Sequence, residues 1–444
     1  MASAFCFNFS LSASFMYSDI DTPRLLAAFK RSFFRYSGNT ICSLTVFMFE
    51  FMCNLSSVCI ILCYIVHMKI MKAYKFRFYP EPEQAAQLAI EFGCARFVWN
   101  RGLLERDYAY KNWGVGLNSN DLSRHITQYK KTDYPWLCDA TAGVLNQKLI
   151  DQEKAFDNFF KGRAKFPKFK KKSHAQSIRY QLDQRHVLNN YRAGELIKLP
   201  KLGELKEKWS QVPGGIPKMV TVSKSASGKY FVGFMCEVEQ GLIPMTGKVV
   251  GIDVGIKDVV VTSDGFHSGA PKYTYYYQRR LRKAQRVLSR KKKGSNGWKK
   301  QRIVVARIHE KIANSRKDFL HKVTTKLVRE NDVICVEDLN VSGMLKNRKL
   351  SKAVADVGIF ELNRQIEYKA QWYGKEVTKI SRWFPSTKTC SSCGNVRIMK
   401  LSQRVYECEC GLVMDRDLNA AINIKAAGER QLSGAIYQPE KVAA

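Results

Sequence analysis

From Lys72 the chain alternates apolar and charged positions. In KAYKFRFYP, Tyr74, Phe76 and Phe78 share one face and Lys75 and Arg77 the other, which predicts a strand over 72–80 that stops at Pro80. Glu81, Pro82 and Glu83 then form a helix start with acids in the first turn. Helical patterning runs to about residue 112 and returns over about 139–160, with a Gly/Asn/Ser-rich connection between. The period of two resumes over 195–240. Val220 and Val222, then Tyr230, Val232, Phe234, Cys236 and Val238, alternate across a Ser-Gly turn. These strands and 72–80 predict one β-rich domain with a helical lobe, followed by a linker, GLIPMTG (241–247).

A second unit opens at Lys248. KVVGIDVGIKDVVVTSDG reads as strand, glycine turn and strand, and 273–330 as a long helical region. DVICVEDLNV (332–341) is a short apolar run ending in acids, the pattern of a buried strand. Helix 354–374 and strand EVTKI (376–380) follow, and DRDLNAAINIKAAG reads as a helix behind an acidic cap. There is no internal repeat.

The N-terminal stretch does not fit this pattern. Residues 41–67 carry one charge, Glu50, and have the length and polarity of a transmembrane candidate. The first 20 residues contain no Lys or Arg, so they lack the basic start of a signal peptide. Composition changes abruptly after Met68 and Met71. The expectation is that residues 1–70 are a mis-started extension, with a membrane-like segment as the alternative. Cys6, Cys42, Cys53, Cys59 and Cys63 lie in this region, and Cys94, Cys138, Cys236 and Cys335 are scattered singly. Such scatter does not form a disulfide framework and implies a reducing, intracellular compartment.

Charge narrows the function. Over 444 residues, 73 Lys and Arg face 39 Asp and Glu, a net +34. A surplus of that size points to a polyanionic partner and disfavours an enzyme of small molecules alone. With 45% hydrophobic and 12% aromatic residues, wholesale disorder is excluded. Two runs concentrate the charge. Residues 161–172, KGRAKFPKFKKK, hold seven basic residues, no acid and two interleaved phenylalanines; residues 279–302 hold twelve Lys or Arg in 24 and no acid. Basic side chains interleaved with aromatics suit a nucleic-acid strand. The candidate contacts are Lys165, Phe166, Lys168, Phe169, Lys170 and Lys171 in the first run, and Arg279, Arg280, Arg282, Lys291, Lys292 and Lys293 in the second.

Three acids and four cysteines can do chemistry. Asp253 lies inside the apolar strand VVGIDVGI, Glu337 closes VICVE, and Asp417 lies in DRDLNAA. Singly, each has an ordinary structural role as turn acid, strand-end acid or helix cap. A carboxylate in an apolar strand is costly to bury unless paired or metal-bound, and Mg²⁺ relieves the repulsion between clustered carboxylates. Together, in so basic a chain, they point to metal-assisted phosphodiester cleavage. Cys390-Ser-Ser-Cys393-Gly and Cys408-Glu-Cys410-Gly, 14 residues apart, form two knuckles suited to a structural Zn²⁺. The second knuckle has one residue between its cysteines rather than two, which threatens strain or a three-ligand site.

GIDVGIK, VEDLN, FPSTKTCSSCG and ECGLVMDRDLNAAINI together resemble the TnpB (OrfB) proteins of bacterial insertion sequences, RNA-guided endonucleases related to type V CRISPR effectors. The resemblance runs from about Met71 to about Ala427. It implies an α+β multidomain fold: a β-barrel-like wedge domain with a helical recognition insertion, plus a RuvC-like nuclease of ribonuclease H fold with an inserted zinc ribbon. The implied boundaries are 71–245 for the wedge, with its lobe over about 83–175, and 246–385 for the first two acidic motifs, with a basic helical insertion over 273–330. The ribbon takes 386–414, the last acidic motif 415–427, and a tail 428–444. The resemblance places the catalytic acids, which would hold Mg²⁺, on Asp253, Glu337 and Asp417 rather than Asp415. It places the zinc ligands on Cys390, Cys393, Cys408 and Cys410. It implies two partners, a guide RNA from the element and double-stranded target DNA with a short flanking motif, and work in the cytoplasm at the nucleoid without stable membrane association. Three rival readings are a transposase acting directly on element DNA, a catalytically silent guided repressor, and a membrane-anchored protein.

Overall fold

The computed structural model describes residues 67–173, 175–182, 197–215, 217–400 and 403–434. Of the apolar stretch 41–67, all but residue 67 lies outside the described residues, as does the tail from 435. Among the described residues no helix is long and apolar enough to cross a membrane.

The first strand, β1 (His67–Phe78), begins five residues before the predicted 72. The expected boundary at 70/71 therefore falls inside a strand, where buried Ile70 faces Val238. After the lobe come β2 (Gln176–Gln181), β3 (Ile197–Leu199), β4 (Gly203–Leu205), β5 (Glu207–Lys208), β6 (Pro217–Lys224) and β7 (Tyr230–Gly241). Five of them form an antiparallel sheet in the order β2-β6-β7-β1-β5, while β3 and β4 make a separate hairpin. Among the described residues the sheet is open rather than a closed barrel. The predicted alternation is its buried face: Tyr74, Phe76, Phe78, Val220, Val222, Val232 and Phe234 share one core.

The lobe contains α1 (Pro82–Trp113), α2 (Ser119–Lys131), a short 3-10 turn (Pro135–Asp139) and α3 (Ala142–Phe160). Helix α2 corrects the expected loop. Asn118, which reads as a loop residue, accepts the N–H groups of Asn120 and Asp121, and Asp121 returns a bond to the Asn118 N–H. This reciprocal cap starts a helix from polar residues. Only Leu122 and Ile126 of α2 are buried, so its apolar signal is thin. Fully buried Glu91 ties lobe to sheet, accepting the Tyr180 and Thr141 hydroxyls at 2.9 and 2.6 Å.

The second unit has β8 (Val249–Asp253), β9 (Val261–Thr262), β10 (Val333–Glu337) and β11 (Glu376–Ile380), in the order β11-β10-β8-β9. The first three in that order are parallel and β9 is antiparallel. Helices α4 (Tyr273–Ser289) and α5 (Asn296–Glu330) form the predicted helical region, broken where Ser295 caps α5. After the short α6 (Val341–Met344), the predicted helix 354–374 is two helices, α7 (Ser351–Val357) and α8 (Ile359–Tyr373). They part at Gly358, whose φ of 72° no helix interior adopts. The linker is pinned rather than loose: buried Asp332 accepts the N–H groups of Thr246 and Gly247 and pairs with Lys375.

A small hairpin, β12 (Val405–Glu407) and β13 (Val413–Asp415), leads into α9 (Arg416–Leu432). Helix α9 lies directly on the sheet because two glycines admit it. A Cβ on Gly251 of β8 would stand 2.1 Å from the Ala421 carbonyl oxygen, and one on Gly428 of α9 would stand 2.2 Å from Cys335 Sγ. This close seat carries the start of α9 to the edge where β8 and β10 end.

Candidate active site

Asp253 and Glu337 are the last residues of β8 and β10, neighbouring parallel strands in which Ile252 lies opposite Val336. Both acids therefore stand side by side at the carboxyl edge of the sheet. The DRD motif supplies two more acids with different uses. Asp415 caps α9, accepting the N–H groups of Asp417 and Leu418 at 2.8 and 3.2 Å. Asp417, in the first turn of α9, is 8% exposed, and its charge acts on Asp253, which is 9% exposed.

Electrostatics tie the three together. Burial is the largest push on the Asp253 carboxyl, Glu337 and Asp417 add to it, and the proton is held up to about pH 7, with Arg416 opposing. Burial also raises Glu337, eased by the Ser386 hydroxyl, which donates to it at 2.5 Å. Arg416 was not singled out in the sequence. Its guanidinium donates twice to Asp417 Oδ1, at 3.2 and 3.0 Å, and Arg404 stands 3.7 Å from the other oxygen. The only signal in the sequence was its position between two acids. Ser386 bonds Glu337 and Arg416 bonds Asp417, so two of the three carboxylates have a polar partner. Their oxygen-only donor set and mutual repulsion fit a hard divalent cation.

The four cysteines do converge. Among the described residues they are the one cluster of metal-ligating side chains, with all Sγ atoms within 4.8 Å. Cys390 lies 3.7 Å from Cys410, and Cys393 lies 3.5 Å from Cys408. Sulfurs about 2.3 Å from a tetrahedral Zn²⁺ stand roughly 3.8 Å apart, so the set fits the ion. The shortened knuckle still brings both of its sulfurs into the cluster: the Cys408 N–H donates to Leu412 and the Gly411 N–H to Cys408, closing the turn around one fewer residue. Burial pushes the Cys390 thiol up, but backbone N–H groups of Cys393 and Ser392 and the neighbouring thiols outweigh it, leaving it at about 7. Fully buried Tyr406 supports the hairpin and donates to the Lys388 carbonyl at 3.0 Å.

The basic runs lie apart in the fold. Lys165, Phe166, Lys168, Phe169 and Lys171 are exposed on a segment strapped to α1, where Trp99 donates to the Lys168 carbonyl and Asn100 exchanges two bonds with Lys170. Lys170 itself lies 3.6 Å from the Trp99 ring centroid, and burial, then Lys148, pushes it down to about 8. Phe166 is half-exposed against Phe156 and Phe159. Arg279, Arg280, Arg282, Lys291, Lys292 and Lys293 are all exposed along α4 and its turn into α5.

Fold and site thus define a strongly basic mixed α/β protein in which buried acids at a parallel sheet edge adjoin a four-cysteine hairpin. Comparison with known proteins places it further. Residues 234–348 match a family model described as "Probable transposase", 360–424 one described as "Cas12f1-like, TNB domain", and 68–114 one described as "Helix-turn-helix domain". That last segment is the strand β1 followed by the single helix α1. A "Putative RNA-guided DNA endonuclease" of Streptomyces pristinaespiralis is 42% identical over 81% of this chain and 90% of its own length. The "Putative RNA-guided DNA endonuclease InsQ" of Escherichia coli strain K12 is 34% identical over 82% of this chain and 94% of its own. A solved Cas12f1–sgRNA–target DNA complex aligns with a TM-score of 0.49 at 14% identity, covering 80% of this chain and 99% of that one. The chain belongs to the TnpB/OrfB family.

Proposed function

We propose that this protein is an RNA-guided DNA endonuclease, carried by a transposable element, that cuts phosphodiester bonds at Asp253, Glu337 and Asp417. The names of its relatives support the guided class. The observation that carries the chemistry is one buried carboxylate, Asp253, held near pH 7 by burial and two acids at the edge of β8 and β10. We read the sheet β11-β10-β8-β9, with α9 across it, as a RuvC-like domain of ribonuclease H type.

In this reading Asp253, Glu337 and Asp417 hold Mg²⁺, which when bound supplies a Lewis acid for the phosphodiester and an acidified water. To ligate such an ion each acid would have to be ionised, so Asp253 would have to give up its proton. Ser386 keeps Glu337 oriented, and Arg416 and Arg404 hold positive charge beside Asp417 where a phosphate arrives. The cysteines hold a structural Zn²⁺ that fixes the hairpin leading into α9. The sheet β2-β6-β7-β1-β5 and its lobe take up guide RNA and DNA, and the exposed basic runs track phosphates without reading sequence. Guide pairing selects the target beside a short flanking motif. The protein works in the cytoplasm at the nucleoid.

The test is Asp253→Ala in the full chain expressed beside its downstream genomic DNA. RNA retention is expected to match that of the unaltered protein, with guided cleavage lost. Normal cutting by the variant would refute the assignment. Cutting or joining of element ends that needs no RNA would favour a transposase acting directly.

A further inference from the structure

We infer that Trp383 is a base-stacking residue that holds one unpaired nucleotide of the DNA strand beside the bond cut at Asp253, Glu337 and Asp417. The inference rests on the endonuclease reading above. Trp383 is 86% exposed. Exposure alone does not set it apart, since Phe160 and Tyr276 are each 78% exposed; its place does, three residues before the serine that bonds Glu337. Its loop is not loose. Asp338, the residue after Glu337, donates its N–H to the Ile380 carbonyl at 3.2 Å, and its carboxylate pairs with Arg382. On the far side Phe384 sits in the core with Cys335, Ile380 and Ile424. Two residues on, the Ser386 hydroxyl bonds Glu337, and its carbonyl accepts from the Asn423 amide of α9 at 2.8 Å. Arg382 is thus tied to the residue after Glu337 and Phe384 to the core, while the indole between them is exposed.

The occupant follows from chemistry. An indole face accepts any base, but a base inside a duplex is already stacked, so the partner is an unpaired one. Arg404 and Arg416, beside Asp417, provide for the phosphates on either side. Stacking next to the acids fixes the strand where a flexible single strand would otherwise wander past them. Guide pairing on the opposite strand is what releases such a strand.

The experiment uses the full chain loaded with the RNA that copurifies with it, in single-turnover cleavage. Trp383→Ala and Trp383→Phe are compared on targets in which one abasic nucleotide is walked along the displaced strand near the cut. The unaltered protein is expected to slow by roughly 5- to 100-fold at one abasic position, the range that base stacking supplies. Trp383→Ala is expected to be slowed to a similar degree on the intact target and to ignore that abasic position. Trp383→Phe should recover most of the rate. RNA content and melting temperature should not move, because the side chain is bare. Trp383→Ala cutting at the normal rate, or keeping the abasic sensitivity in full, would overturn the inference. If the unaltered protein cuts no RNA-matched target, the endonuclease reading falls and this one with it.

Discussion

At Asp253 the fold holds a carboxyl in a place that disfavours its charge. The group titrates near 7 in the folded chain against 3.8 for an ordinary aspartate. Between those values the folded chain keeps a proton that the unfolded chain has lost, so stability falls as pH rises from about 4 to about 7. Asp253→Asn stays neutral throughout. Without divalent ions, it is expected to be more stable than the unaltered protein at pH 8, by about 2–4 kcal/mol, and nearly equal at pH 4. Thermal melts in chelator at the two pH values check this, and Mg²⁺ should narrow the gap at pH 8 by stabilising only the protein that keeps Asp253. A variant no more stable at pH 8 would contradict the burial argument. Asp253 and Glu337 stood out in the sequence because one interrupts and the other ends an apolar run, and Asp417 because it opens a helix. Arg416 and Ser386 were not, since their partners are set by where α9 and the loop after β11 land. The division of labour in DRD likewise rests on helix geometry, in which Asp415 caps and Asp417 faces the sheet.

Between elements, α9 and the sheet meet through glycine. Gly428→Ala would place a methyl 2.2 Å from Cys335 Sγ, so α9 must shift. The expected loss is about 1–3 kcal/mol, read as a lower denaturant midpoint, together with slower cleavage because Asp417 moves with the helix. Unchanged stability would mean that α9 does not sit so close. The cysteine hairpin carries its own prediction. One Zn²⁺ per chain is expected, and Cys410→Ser should weaken its retention against a chelator and open the remaining thiols to a thiol reagent. Full zinc content and protected thiols in that variant would leave a three-ligand site. Strand alternation and helix β8-to-α9 order were readable from period and apolar runs. The capped α2 was hidden because its start is built from polar side chains, and the break at Gly358 was hidden within a continuous helical pattern. The strand β1 starts at His67 because it pairs with β7 along twelve residues, a partner that local pattern cannot reveal.

At the scale of the molecule, the net charge is +34, and the two basic runs, seven of the 73 Lys and Arg on the strap along α1 and twelve in the α4–α5 region, are its densest exposed stretches. Composition alone pointed to a polyanionic partner. It could not reveal that Lys170 packs on Trp99 or that Trp383 stands bare on the loop whose Ser386 bonds Glu337, because both depend on tertiary contacts. The central claim is that RNA directs this protein to the DNA it cuts. The direct measurement is to purify the full chain expressed with its downstream DNA, sequence the bound RNA, and offer Mg²⁺ and a plasmid matching that RNA's variable end. One discrete RNA and a cut that moves when the variable end is changed are the predicted result. Only random RNA, or a cut whose position ignores the RNA, would contradict it.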